Sequence, residues 1–165
     1  MEKWFIKNKK ADFQAIMRQY KVSEVLARLI VNRNHETMED IEAYLHPDLK
    51  HLHNPLLMKD MRKARDILGQ KIESQAKIRI IGDYDVDGIT ATALLSLVLK
   101  KNGADVYSFI PHRFDDGYGF TPDSLHKAFA AHDRDFKVLV TVDCGITSND
   151  AVLEARKMGI DTIIT

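Results

Sequence analysis

The chain carries a single cysteine, Cys144, which excludes a disulfide framework and a zinc site built from cysteines. No apolar run, the stretch Ala91 to Leu99 included, approaches the ~20 residues that a membrane-spanning helix needs. The start, MEKWFIKNKK, has no apolar stretch of the secretory-signal kind. Neither charge sign is in excess: 24 Lys and Arg face 24 Asp and Glu. That balance excludes a globally basic nucleic-acid binder and an acidic disordered tail. What remains at 165 residues is one globular domain, or one with a small appendage, expected in the cytoplasm without a membrane partner.

The neutral total hides two halves. Residues 1–76 hold 14 basic and 11 acidic side chains, net +3, and residues 77–165 hold 10 and 13, net −3. The acids also change type, from five Asp and six Glu to twelve Asp and one Glu. Glu suits helix surfaces, whereas Asp suits turns, caps and hard-metal sites. The second half is therefore expected to be rich in turns or to hold a metal.

Residues 1–76 read as a helical leader. Ser23 caps a helix to Arg33 with Val25, Leu26, Leu29 and Ile30 on one face. Thr37 and Asp40 form a capping-box pattern ahead of a helix to Leu45, and Met61, Ala64, Leu68 and Ile72 recur at helical spacing to Gln75. From Lys77 the pattern changes. Strands are predicted from Lys77 towards Asp83, over Asp105–Pro111, over Lys137–Val142 and from Asp161. Helices are predicted over Gly88–Lys101, from Thr121-Pro122-Asp123, and over about Ser148–Met158. Such alternation indicates an α/β fold with a doubly wound, mostly parallel sheet. Ligands of such sheets sit beyond the carboxyl ends of the strands. Asp83, Asp85 and Asp87 follow the first strand and Asp143 follows the third, so the acids converge if those strands are neighbours.

In Gly82-Asp-Tyr-Asp-Val-Asp-Gly88, three carboxylates within five residues repel one another. They serve either as turn and helix-cap residues or as ligands of a divalent cation, which would neutralise the repulsion. An EF-hand loop fails, because its twelfth position is Leu94 and its flank is a strand. A haloacid-dehalogenase nucleophile would lie directly at the strand end, and a receiver domain has no use for the third Asp. The second signal, Val140-Thr-Val-Asp143-Cys-Gly, ends a buried strand in a carboxylate. Cys144 has no basic neighbour in sequence and reads as a packed thiol. His46, His51 and His53 read as surface histidines, and Lys7, Lys9 and Lys10 as a solvated flank.

The segments IIGDYDVDGITATALL (80–95), FIPHRFDDGYGF (109–120) and VTVDCGITSNDAV (140–152) closely resemble RecJ-type single-stranded-DNA exonucleases of the DHH phosphoesterase superfamily. KVSEVLARLIVNR (21–33) and NPLLMKDMRKA (54–64) resemble that family's leading region. The resemblance implies 5′-to-3′ hydrolysis of single-stranded DNA in repair and recombination, with two Mn²⁺ or Mg²⁺ ions. It places Asp83 and Asp85 on the first metal motif and Asp143 on the second, in a bridging or shared role, with Asp87 orienting either the loop or a metal ligand from behind it. It also implies a piece of a longer enzyme: residues 77–165 would be the front of a DHH domain that stops before the Asp-His-His motif. Two alternatives stay open, a DHH phosphodiesterase acting on small nucleotides and a non-catalytic module that keeps the fold. In the loop after the second strand, Arg113 either contacts phosphate, with Phe114 or Tyr118 stacking on a base, or pairs with Asp115 or Asp116.

Overall fold

A computed structural model describes residues 3–5, 7–130 and 135–165. They divide into two compact units, 1–57 and 58–165. That division falls earlier than the change of composition at residue 76. The physical reason is the helix Met61–Glu73, whose Ala64, Ile67, Leu68 and Ile72 pack onto the sheet of the second unit.

The first unit contains α1 (Phe13–Tyr20), α2 (Glu24–Asn32) and α3 (Met38–Leu45). Each begins where a side chain satisfies a free backbone N–H: Asp12 accepts from Ala15, Ser23 from Leu26 and Thr37 from Asp40. The apolar faces meet in a core of Ile16, Ala27, Ile30, Val31 and Ile41. Lys9 is more than solvated flank, since its ammonium pairs with Glu36 and donates to Asn34 (2.7 Å).

In the second unit the chain runs α4 (Met61–Glu73), β1 (Lys77–Gly82), α5 (Val86–Lys101), β2 (Asp105–Phe109), α6 (Pro122–Ala130), β3 (Phe136–Val142), α7 (Asn149–Lys157) and β4 (Asp161–Ile164). The four strands form one parallel sheet in the order β2-β1-β3-β4. β1 and β3 are buried almost end to end, as parallel strands covered on both faces must be. Ile78, Ile80, Val138 and Val140 meet α4 and α5 on one face. Ile81 and Leu139 meet Leu125, Phe129, Ala151 and Ala155 of α6 and α7 on the other. The sheet is thus doubly wound. β1 lies between β2 and β3, so the chain reverses direction across the sheet between β1 and β3, and a crevice opens there.

Candidate metal centre

The register brings the two acidic loops side by side. Gly82 is the partner of Val142, and the next residue on each strand is a carboxylate, Asp83 on β1 and Asp143 on β3. Asp83 is 4% exposed, and its Oδ1 accepts the Tyr84 N–H (2.7 Å). Helix α5 starts at Val86, two residues before the sequence expectation, because Asp85 is its N-cap and accepts the Gly88 N–H (3.0 Å). Asp85 thus spends one oxygen on the helix start, and its side chain also reaches the Asp143 carboxyl. Asp87 stands exposed in the first turn of α5, where a negative charge is favoured by the helix dipole.

Gly88 sets how closely the helix approaches the strand. A Cβ there would lie 2.4 Å from the Asp83 carbonyl oxygen and 2.6 Å from its nitrogen. The motif therefore needs glycine at this point for packing, since any side chain would meet the Asp83 backbone. The β3 loop is equally tight. Asp143 is left-handed (φ 58°), and Gly145 (φ 103°) has room for no Cβ beside the Thr141 hydroxyl, which donates to the Cys144 carbonyl (2.9 Å).

Charge shows the convergence. The Asp143 carboxyl is pushed above the usual range, first by desolvation and then by Asp85, Asp87 and Asp83. Desolvation first, then the charges of Asp83 and Asp143, push the half-buried Cys144 thiol up to about 11. At neutral pH it stays a thiol, as expected for a packed side chain.

Among the described residues, no three His, Cys, Asp or Glu side chains are gathered into a set that could hold a metal ion. The donors themselves suit a hard divalent cation, being carboxylate oxygens in mutual repulsion, one on a side chain buried at the strand end. A cleft of about 680 Å³ adjoins Asp143, between Tyr118–Pro122 and Cys144–Ala151.

The loop between β2 and α6 reaches the same crevice. The Tyr118 phenol is pushed up chiefly by the negative charge of Asp83, and by burial, Tyr84, Asp143 and Asp85 after it. Its ring meets Tyr84 edge-on (centroids 6.1 Å apart), and the Arg113 guanidinium lies 5.5 Å above the Tyr84 ring. Arg113 has no carboxylate partner among the described residues. Asp115 pairs with His112 (2.8 Å) and Asp116 with Lys127. The Arg113 pairing considered from the sequence is thus absent. Phe114 is 87% exposed and tilts against His112 (5.9 Å). Sequence reasoning missed Tyr84. Its place between two metal-type aspartates marked the loop but did not show that its ring joins Arg113 to Tyr118.

No helix among the described residues is long and apolar enough to cross a membrane. Residues 77–165 match the model of the DHH family, N-terminal domain. The single-stranded-DNA-specific exonuclease RecJ of Bacillus subtilis is 34% identical over 164 residues, 99% of this chain and 20% of that protein. RecJ of Thermus thermophilus is 39% identical over 110 residues, 67% of this chain and 16% of that protein. Among solved structures, exonuclease RecJ bound to manganese superposes with a TM-score of 0.61 at 36% identity, covering 69% of this chain and 29% of that one. RecJ from T. thermophilus in complex with Mn²⁺ gives 0.60 at 28% identity, covering 92% and 20%. The chain spans about a fifth of the length of the curated relatives it matches.

Proposed function

Since the chain belongs to the DHH family, we propose that it forms the acidic part of the active site of a metal-dependent single-stranded-DNA exonuclease working 5′ to 3′ in DNA repair and recombination. The observation that carries this reading is the convergence, at the sheet's switch point, of Asp83, Asp85 and Asp87 from the β1–α5 junction with Asp143 after β3, felt, beside desolvation, in the raised pKa of Asp143. Its setting is cytoplasmic, and residues 77–165 are the front of the DHH domain, with α4 packed on its sheet and 1–57 as its helical leader.

In this reading Asp83, Asp85 and Asp143 hold Mn²⁺ or Mg²⁺, and Asp87 steers the loop and the field from outside the ligand set. Bound divalent ions supply an activated water and neutralise charge on the phosphate. The chain's own residues do the rest. Asp85 locks the start of α5 through Gly88, so Asp83 is held against a rigid helix. Arg113, free of any carboxylate among the described residues, is available to a phosphate, and Tyr118 offers a ring for a base beside the acids, with Phe114 further out.

The test uses the full-length polypeptide, 5′-labelled single-stranded DNA and Mn²⁺. Release of mononucleotides is expected, with Asp143→Ala reducing kcat at least about a hundredfold. Turnover of dinucleotides with intact oligonucleotides left uncut would favour the small-nucleotide alternative.

A further inference from the structure

The loop that carries Arg113 and Tyr118 is closed on itself before it meets the site. The His112 carbonyl accepts from the Asp115 N–H (3.2 Å) and the Asp116 N–H (2.8 Å). The Asp116 carboxylate returns the contact, its Oδ2 accepting the His112 N–H (2.6 Å). A residue of a different element then fixes this ring. Lys127, on α6, donates to the Asp115 carbonyl (3.0 Å) and pairs with the other Asp116 oxygen. One ammonium thus joins two consecutive residues of the turn to the helix. Asp116 is largely covered (9% of its side chain exposed), whereas Lys127 is half exposed. Arg113 lies inside the closed turn and Tyr118 two residues past its end, and both meet Tyr84.

We propose that Lys127 and Asp116 are positioning residues for the DNA strand, a latch that holds residues 112–118 in the shape that presents Arg113 and Tyr118 to the substrate. The inference rests on the nuclease reading above. Its physical basis is preorganisation: a loop ordered beforehand spares the entropy of ordering it on binding, so the latch acts on substrate capture and leaves the chemical step alone. Charge-assisted contacts make the latch firm: their mutual hydrogen bond is the main cause that lowers the Asp116 pKa and raises that of Lys127, so each partner favours the ionised form of the other. The Lys127 side chain is half exposed, and an ion pair open to water on one side adds little to global stability, which separates a latch from a structural support.

The experiment compares Lys127→Met, Asp116→Asn and Lys127→Arg in the full-length polypeptide. On single-stranded DNA, Lys127→Met and Asp116→Asn should raise KM about tenfold and leave kcat within about twofold. Lys127→Arg, which keeps the pair, should restore most of the KM. Hydrogen exchange at the His112 and Asp116 amides should quicken in Lys127→Met, while the β1 and β3 amides keep their protection. An unchanged KM in an enzyme that cuts single-stranded DNA would overturn the latch. So would a fall in kcat at constant KM. If the wild type fails to cut such DNA, the nuclease reading fails by itself, and unchanged exchange at His112 and Asp116 then rejects the latch.

Discussion

Two glycine-to-alanine substitutions should move stability in opposite directions. Gly69 sits inside α4, and a Cβ there meets nothing within 4 Å among the described residues. Alanine removes backbone freedom from the unfolded chain and should stabilise by ~0.5–1 kcal/mol. Gly88 also lies in a helix, so propensity alone predicts a gain of the same size. The structure predicts a loss. The new Cβ would stand 2.4 Å from the Asp83 carbonyl oxygen, and ordinary contact begins at 3.4 Å, so backbone must retreat by about 1 Å. The obstacle is the main chain at the end of a buried strand, with no flexible side-chain tip to swing away. Overpacking of this kind costs about 3 kcal/mol, leaving a net loss of about 2 kcal/mol, or on the order of 5–10 °C in Tm. Urea titration followed by circular dichroism checks both variants. Gly88→Ala as stable as the wild type would refute the close approach of α5 to Asp83, and with it the rigid support given to that carboxylate.

Three further outcomes are expected. Arg79 is 1% exposed on β1, with its guanidinium 4.1 Å above the Phe136 ring; Nη1 donates to the Ser108 carbonyl at a long 3.5 Å, and Nε and Nη2 have no hydrogen-bond partner among the described residues. Burial pushes its pKa down, and Arg79→Met should stabilise by about 1–2 kcal/mol in urea titration, the removed desolvation outweighing the lost ring contact. The folded-state pKa of Asp143 lies above its ordinary value, so the folded state binds the proton more tightly, and stability falls as pH rises through the window between the two values. Asp143→Asn should remove that slope and raise the metal-free Tm at neutral pH, read by calorimetry across a pH series. Oligo-dT binding should weaken steeply with salt, and Arg113→Ala should weaken it about tenfold and lower the log–log salt slope by about one, measured by fluorescence anisotropy.

Much of this arrangement is legible in the sequence because it depends on local patterns. β-branched runs mark β1 and β3, Ser23 and Thr37 mark helix starts, and each acidic cluster follows directly on a strand. The step from acids at strand ends to acids in one crevice needs the neighbour order β2-β1-β3-β4, which periodicity does not contain. The start of α5 departs from expectation because Gly88 reads as a helix opener, whereas the Asp85 side chain caps the helix earlier. The same carboxylate therefore has a cap role and a ligand role, two readings that sequence treats as alternatives. The partners in the 112–118 loop are illegible for a different reason. Arg113 has two acids nearby in sequence, yet those acids are taken by His112 and by Lys127, which only folding brings to the loop.

The central claim is that carboxylates from β1 and β3 together bind a divalent cation. Electron paramagnetic resonance of Mn²⁺ titrated into the protein tests it most directly, because free Mn²⁺ gives a sharp signal that is lost on binding. The wild type should take up Mn²⁺ weakly and competitively with Mg²⁺, and the double variant Asp83→Ala/Asp143→Ala should leave the free signal undiminished. Equal Mn²⁺ uptake by the wild type and the double variant would contradict the account.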